Sequence, residues 1–300
     1  MKLKVEESFN LNNQQLKILK QLEKVKSMKL KRSISSTLDL SKIKLLKHDA
    51  IKNEFSITYS GLDALAFSEL KKRGLKKVYR RIGNGKEAEI FLVNFNGKKC
   101  AMKINRVGSK SFKSFKKTRI ELKDTKETSN LVEKNKLSWV ECSRHNCRQE
   151  FKNLTLFKSE GFSVPTVLDY DRHILIMDLI DGMDLSEIKS NFFVEKKILG
   201  DSEEAQLEKL NETLYGFLSE AYKLGFVHGD FNEFNIMITS EKVIFLDFTQ
   251  LIKVDQNEEF SKEILEKSML NIDTFMKKKF NFSDKLKNSE TELKKIFPEN

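Results

Sequence analysis

The stretch HGDFNEFNIMI, His228 to Ile238, sets an Asp and an Asn five positions apart just ahead of a short apolar strand. In a loop, Asp and Asn are more often turn formers than catalysts, so their neighbours have to decide. The chain runs on as NIMITSEKVIFLDFTQ, where residues 236–239 and 243–246 read as two strands about the turn SEK. A hairpin centred on Glu241 puts Asn235 opposite Asp247. Opposed residues of an antiparallel pair lie roughly 4.5 to 5.5 Å apart at Cα, close enough for an amide oxygen and a carboxylate to hold one Mg2+. Asp230, on the loop, is then left to orient an attacking hydroxyl or water, the other recurring part of phosphoryl transfer.

Phosphate needs a cradle as well. In GNGKEAEI, Gly83 and Gly85 let the backbone come near phosphate oxygens, although a glycine pair between strands is by itself more often an ordinary turn. Lys103 lies near the end of the strand KKCAMKI. Alternation turns Ala101 and Lys103 to one face and Cys100, Met102 and Ile104 to the other. Glu150, on the following helix, is the natural carboxylate for a Lys among apolar neighbours.

Three elements of the chain must position these groups. Residues 1–77 read as a small basic helical domain closed by a hairpin-like wing, an arrangement that suggests a winged helix. Asn12 or Asn13 caps a helix with a stripe of Leu16, Ile18, Leu19, Leu22 and Val25. DLSKIKLLKHDAI predicts a second helix, FSITY a strand, and SGLDALAFSELKKRG a helix capped by Ser60 and stopped by Gly74. From Val78 the pattern changes to period two. VYRRI, EIFLVNF and KKCAMKI form a meander whose second turn, Asn96-Gly97, is of the type I′ kind. Residues 105–136 read as a long polar loop. A helix with Cys147, Phe151, Leu154 and Phe157 inward follows, then the buried strand and linker HILIMDLIDG, then a largely helical remainder. The fold class expected is α+β, with a small strand-rich lobe at about residues 78–177 and a larger helical lobe at about 182–300.

Charge is unevenly placed. Residues 1–80 hold 19 Lys+Arg against 8 Asp+Glu, an excess of 11 that equals the net charge of the whole chain. Lys98 to Arg119 adds nine basic residues and no acid. One charge run is often a solvated face, but two favour a polyanionic partner. The three cysteines, Cys100, Cys142 and Cys147, lack zinc spacing and read as plain thiols. No apolar run approaches a membrane span, and the N-terminus lacks the apolar core of a signal peptide, which predicts a cytosolic protein with nuclear passage left open.

Taken in order, GNGKEAEIFLV, AMKI, QEF, MDLIDG, HGDFNEFN and LDF resemble the ATP site of the protein-kinase superfamily. The fit is nearest to the RIO atypical kinases: GKEAEI is similar to their GKES-type loop, HGDFNEFN to their catalytic loop and LDFTQ to their IDFPQ segment. SFKSFKK, SWVECSR, DRHILIMDLIDG and FSITYSGLDALAF resemble the second RIO subfamily, which joins a winged helix to a bilobal kinase-like domain. The resemblance implies Asp230 as the catalytic acid/base and Asn235 and Asp247 as Mg2+ ligands. It also implies a phosphate-contacting Lys103 paired to Glu150, and a phosphate loop of Gly83, Gly85, Lys86, Glu87 and Ala88. Adenine would lie against Met177 and the backbone of Asp178 to Ile180, and His228 would be a structural brace. Asp247 is further implied to accept phosphate transiently, making the chain an ATPase as much as a serine/threonine kinase. The implied partner is the precursor of the small ribosomal subunit, ribosomal RNA included, with the chain monomeric away from it.

Two residues depart from the family pattern. Ala88 stands where a phosphate-loop Ser is usual, and Thr249 replaces the Pro after Asp247-Phe248, which predicts a less rigid metal loop. A small-molecule phosphotransferase of the aminoglycoside or choline kind shares HGD, the Asn five residues on and the later Asp. Its acidic substrate pocket suits this basic chain poorly. A catalytically dead RNA-binding scaffold is favoured by Ala88 and opposed by intact Lys103, Asp230, Asn235 and Asp247.

Overall fold

In a computed structural model of the chain, which describes residues 11–25, 27–30, 35–85, 87–106, 139–189, 191–195, 197–256, 258–284 and 287–298, helix α1 (Asn13–Val25) opens on a reciprocal cap. The Gln15 N–H donates to Asn12 Oδ1 at 2.9 Å and the Asn12 N–H donates to Gln15 Oε1 at 3.0 Å, so two orphan donors of the first turn are satisfied. Lys86, the expected loop over 105–136 from residue 107 onward, and the larger part of the Lys98–Arg119 run lie outside the described residues.

The described residues divide into two compact units, one within residues 11–106, 140–147 and 168–177, the other within residues 148–167 and 178–298 together with Trp139. In the first, α1 is followed by β1 (Ser27–Met28), α2 (Ser35–Lys42), β2 (Leu46–Asp49), β3 (Glu54–Ile57) and α3 (Tyr59–Lys72). The three strands order as β1-β3-β2. The helix expected over DLSKIKLLKHDAI is corrected: it starts four residues earlier and stops at Lys42, because Lys44 takes a φ of 61° that no helix interior accepts. Leu46 to Asp49 then pair with β3, Leu46 facing Ile57. Helix α3 is capped by Thr58, two residues before the expected Ser60; its hydroxyl accepts from the Gly61 N–H at 3.1 Å.

Helix α3 is apolar on more than one side, with every residue from Gly61 to Phe67 buried. Ala64 and Leu65 join Ile18, Leu19, Leu22, Leu40, Leu45, Leu46 and Phe55 in one cluster. Ala66, Phe67 and Leu70 join a second cluster with Leu75, Phe91, Val93, Cys100, Met102, Ile104 and Ile176. That second cluster lines a five-stranded sheet of β4 (Leu75–Asn84), β5 (Ala88–Phe95), β6 (Lys98–Asn105), β7 (Val167–Asp171) and β8 (Ile174–Asp178), ordered β4-β5-β6-β8-β7. Asn96 and Gly97 at φ 50° and 86° make the expected I′ turn between β5 and β6, and Cys100, Met102 and Ile104 share the core face as alternation requires. Helix α4 (Trp139–Ser159) precedes β7 and ends with Gly161 at a φ of 85°.

In the second unit, β9 (Gly182–Asp184), α5 (Phe192–Glu195) and α6 (Glu203–Lys223) lead to β10 (Phe226–His228). After it come β11 (Ile236–Thr239), β12 (Val243–Phe245), β13 (Leu251–Lys253), α7 (Glu258–Phe280) and α8 (Ser289–Ile296). The strands form one sheet ordered β12-β11-β9 and a separate β10-β13 ladder. Phe217 of α6 stacks on Phe245 at 4.0 Å and on Phe231 at 5.4 Å between ring centroids, while Phe157 meets Phe248 edge-on at 4.9 Å. These rings form a rigid apolar floor beneath the loops that carry the site.

Candidate active site

The loop bearing Asp230 begins and ends on the β10-β13 ladder, in which His228 faces Leu251 and Val227 faces Ile252. Gly229 continues it: its N–H donates to Gln250 O at 2.6 Å, and a Cβ there would stand 2.8 Å from the same oxygen. Only glycine allows that approach. Residues 229 to 250, with both hairpin strands and the Asp247 turn, thus hang from a closed neck.

Asp230 is exposed, and each carboxylate oxygen receives an amide. Asn232 Nδ2 donates to Oδ1 at 2.9 Å, and Asn235 Nδ2 reaches Oδ2 at 3.4 Å and the Asp230 carbonyl at 2.9 Å. Asn232 Oδ1 also caps the short 3-10 turn Glu233–Asn235 through the Phe234 N–H at 3.0 Å. Asn232 was not among the expected site residues; its signal in the sequence is the Asp-x-Asn spacing, which places a second amide within reach of the first acid.

The hairpin register differs from the expected one. Ile236 faces Phe245, Met237 faces Ile244 and Ile238 faces Val243, so Asn235 opposes Leu246 and not Asp247. The cause is Thr239. Its N–H donates to Lys242 O at 3.0 Å and its hydroxyl accepts from the N–H groups of Glu241 and Lys242, closing a two-residue turn in place of the three-residue SEK. The Leu246 N–H donates to Asn235 O at 2.8 Å. Asp247 then leaves the strand with a left-handed φ of 57°.

His228 ties the two acidic turns to the neck. Its Nδ1 accepts from the Asp230 N–H at 3.3 Å, so Nε2 carries the proton donated to Leu246 O at 3.2 Å. Burial pushes its pKa down; the carboxylates of Asp247 and Asp230 only partly oppose that, and the ring is a neutral brace, as expected. Thr249, expected to leave its loop less rigid than proline would, donates its hydroxyl to Asp247 Oδ1 at 2.7 Å, a tie that proline cannot make. Thr249→Ala is expected to lose about 0.5 to 1.5 kcal/mol of stability in urea unfolding, the value of one net hydrogen bond. Thr249→Ser should restore it, and equal unfolding midpoints across the three proteins would show the bond to be incidental.

In the first unit Lys103 is 7% exposed and sits opposite Ile90 on the β5-β6 ladder. The loop joining β4 to β5 is closed by the Gly85 N–H donating to Ala88 O at 2.9 Å. Gly83 is not in that loop but inside β4, where a Cβ would press on Ile90 Cγ1 at 3.1 Å. Its missing side chain serves strand packing. Arg106 anchors the loop from outside, its N–H donating to Glu87 O at 2.6 Å and its guanidinium bonding Glu89 Oε2 at 3.3 Å. The same guanidinium meets both oxygens of buried Asp63 at 2.9 and 2.7 Å, and Asp63 Oδ1 also bonds His173 Nε2 at 2.8 Å. Met177 is buried and Asp178 and Ile180 half-buried at and after the end of β8. Glu150, 1% exposed on α4, belongs to the second unit. All three cysteines are buried free thiols. Among the described residues no three His, Cys, Asp or Glu gather as a metal cluster, and no helix is long and apolar enough to cross a membrane.

The family model for the RIO domain matches residues 89–289. The chain is 33% identical over 250 residues to the serine/threonine-protein kinase rio2 of Dictyostelium discoideum, covering 81% of this chain and 43% of that one. It is 29% identical over 255 residues to the serine/threonine-protein kinase RIO2 of Saccharomyces cerevisiae, covering 82% and 54%. The chain therefore spans about half the length of these curated relatives. Among solved structures, the Rio2 kinase of Chaetomium thermophilum in complex with ADP/Mg2+ and phosphoaspartate superimposes with a TM-score of 0.75 at 23% identity, over 100% of this chain and 91% of that one. That likeness gives the fold, protein-kinase-like with a helical N-terminal region.

Proposed function

The chain belongs to the RIO domain family, and from that membership we propose that it is an ATP- and Mg2+-dependent serine/threonine protein kinase or ATPase of the RIO type. The observation that carries the reading is Asp230, an exposed carboxylate whose two oxygens are held by Asn232 and Asn235 at the mouth of a closed neck. A hydroxyl arriving there would donate to an oxygen whose direction is already set, and the carboxylate would take the proton as the hydroxyl oxygen bonds to the γ-phosphorus and the bond from that phosphorus to the bridging oxygen breaks, ADP leaving with the electron pair.

Asn235 and Asp247 offer hard oxygen donors that suit Mg2+, which takes one or two protein ligands and completes its shell with water and phosphate. Because Asn235 Nδ2 donates to Asp230, its Oδ1 is the atom for the cation. When bound, the ion neutralises charge on the triphosphate. Lys103 and the backbone of Gly85 to Ala88 would meet phosphate oxygens, while Met177 and the backbone of Asp178 to Ile180 would take the adenine. The Chaetomium thermophilum relative was captured with ADP/Mg2+ and phosphoaspartate, and Asp247 is the residue that would carry phosphate here. In calorimetry, Asp247→Ala should lose roughly tenfold to a hundredfold in Mg2+-dependent ATP affinity, as expected for a contact to a charged group, with the protein still folded though less stable for its left-handed φ and lost Thr249 bond. Unaltered binding would sink the metal assignment.

The partner proposed is the precursor of the small ribosomal subunit, met in the cytosol. Supporting it are the excess of 11 positive charges within residues 1–80 and the helix-hairpin-helix order of α2, β2, β3 and α3, which suits a winged-helix reading of the N-terminal segment.

A further inference from the structure

Strand β4 is one of the two edges of the five-stranded sheet, and of its ten residues only Leu75 is buried. It continues a run that starts in the last turn of α3. From Lys71 to Arg81 the chain reads KKRGLKKVYRR, seven basic residues in eleven with no acid. Several of the cations have carboxylates: Lys72 lies 2.9 Å from Glu69, Arg73 2.8 Å from Asp169, and Arg81 3.1 Å from Glu89. Lys76, Lys77 and Arg80 form no ion pair among the described residues, and all three are exposed. Between them stands Tyr79, 44% exposed, with Lys77 Nζ 5.2 Å from its ring centre, and just beyond stands Ile82, 38% exposed.

Charges on an edge strand commonly serve only to repel a second sheet edge. That purpose is defeated by leaving a large aromatic ring and an Ile open among them. A peptide strand added to this edge is disfavoured by the ladder itself, which shifts register between Leu75 and Lys77, between Val78 and Arg81, and between Arg81 and Gly83; bulges of this kind twist an edge away from regular pairing. What remains is a partner met through side chains, one that offers phosphates to the cations and flat rings to Tyr79.

We propose that β4 is a binding strip for single-stranded RNA, with Lys76, Lys77 and Arg80 on phosphates and Tyr79 stacking on a base. The proposal rests on the ribonucleoprotein partner proposed above and gives it a place on the molecule. Unpaired RNA fits better than a duplex, whose bases are already stacked on one another and whose recognition runs through its groove and backbone.

The test uses the full chain and a short fluorescent uridine-rich RNA, with anisotropy followed across a salt series. Tyr79→Ala is expected to weaken binding roughly tenfold, within the range of one lost base stack, while Tyr79→Phe keeps it. Changing Lys76, Lys77 and Arg80 together to Gln should reduce the slope of log affinity against log salt by about 2, at roughly 0.7 for each phosphate contact to a single strand. Mg·ATP affinity and the melting curve should stay as in the unaltered chain. If that chain binds the RNA and the variants bind it equally, the β4 assignment falls and the RNA reading stands elsewhere. If it binds no RNA, both fall. Equal affinity for a duplex with no effect of Tyr79→Ala, or capture of an acidic peptide instead, also overturns the strip.

Discussion

Asp230→Ala is expected to bind Mg·ATP nearly as the unaltered chain does and to turn it over about 10² to 10⁴ times more slowly, the contribution of one positioned acid/base group. The near-normal binding follows from geometry. Asp230 is exposed, so the Asn232 and Asn235 amides it releases can turn to water, and the neck formed by His228, Gly229, Gln250 and Leu251 does not pass through its side chain. Asp230→Asn separates positioning from proton transfer: it keeps an acceptor for one amide but cannot take a proton at neutral pH. A slow Asn variant with normal Kd assigns the loss to the proton. Single-turnover phosphate release gives the rate and calorimetry the affinity, and a turnover within threefold of normal, about 0.7 kcal/mol, would reduce Asp230 to a residue that shapes its loop.

The other large effect concerns stability. Asp63 is 1% exposed and holds Arg106 through two bonds and His173 through a third, so Asp63→Ala takes from a mostly buried guanidinium its two shorter bonds and leaves it the longer one to Glu89. Breaking such a pair costs about 3 to 5 kcal/mol, and urea unfolding should show it. Exchanging Asp63 and Arg106 together for apolar residues should recover much of the loss, because the desolvation of both charges disappears with them. The sign of the pH dependence follows from the same contacts. Burial on its own would raise the Asp63 carboxyl, but Arg106 and His173 outweigh it and hold the group below its ordinary value. A depressed folded pKa stabilises fully above the unfolded value of about 3.9 and loses that stability as the pH falls through the folded one. Asp63→Asn should therefore flatten the acid limb of the stability curve. If the Ala variant unfolds at the same urea concentration as the unaltered chain, the network contributes no net stability.

Local chemistry made part of this readable in advance. Asn96-Gly97 demanded its turn, and the alternation of Cys100, Met102 and Ile104 placed Lys103 on the opposite face. The juxtaposition of Asn235 and Asp247 follows in the sequence from a register that the structure replaces: Thr239 shortens the hairpin turn, and Asp247 owes its place to the left-handed turn after β12, beside the Leu246 carbonyl that His228 holds. Strand β10 could not be read at all, since Phe226 to His228 is too short to show alternation and gains its ladder only from Leu251 to Lys253. The Leu45-Leu46 pair suits a helix or a strand equally, and a single positive φ at Lys44 decides between them. The Asp63, Arg106 and His173 network joins residues 43 and 110 positions apart, a distance across which no periodicity speaks.

Helix α3 gives its Ala64 and Leu65 to one apolar cluster and its Ala66, Phe67 and Leu70 to the other. Two cores that share a wall cannot melt independently: losing the α1 and α2 side bares one flank of the helix, and the sheet loses its cover when the helix frays. Cooperativity is thereby built into the covalent order of one segment. The basic N-terminal residues cannot be trimmed away at the end of α3 as a detachable module, because the helix that closes them is also the lid of the sheet carrying Lys103.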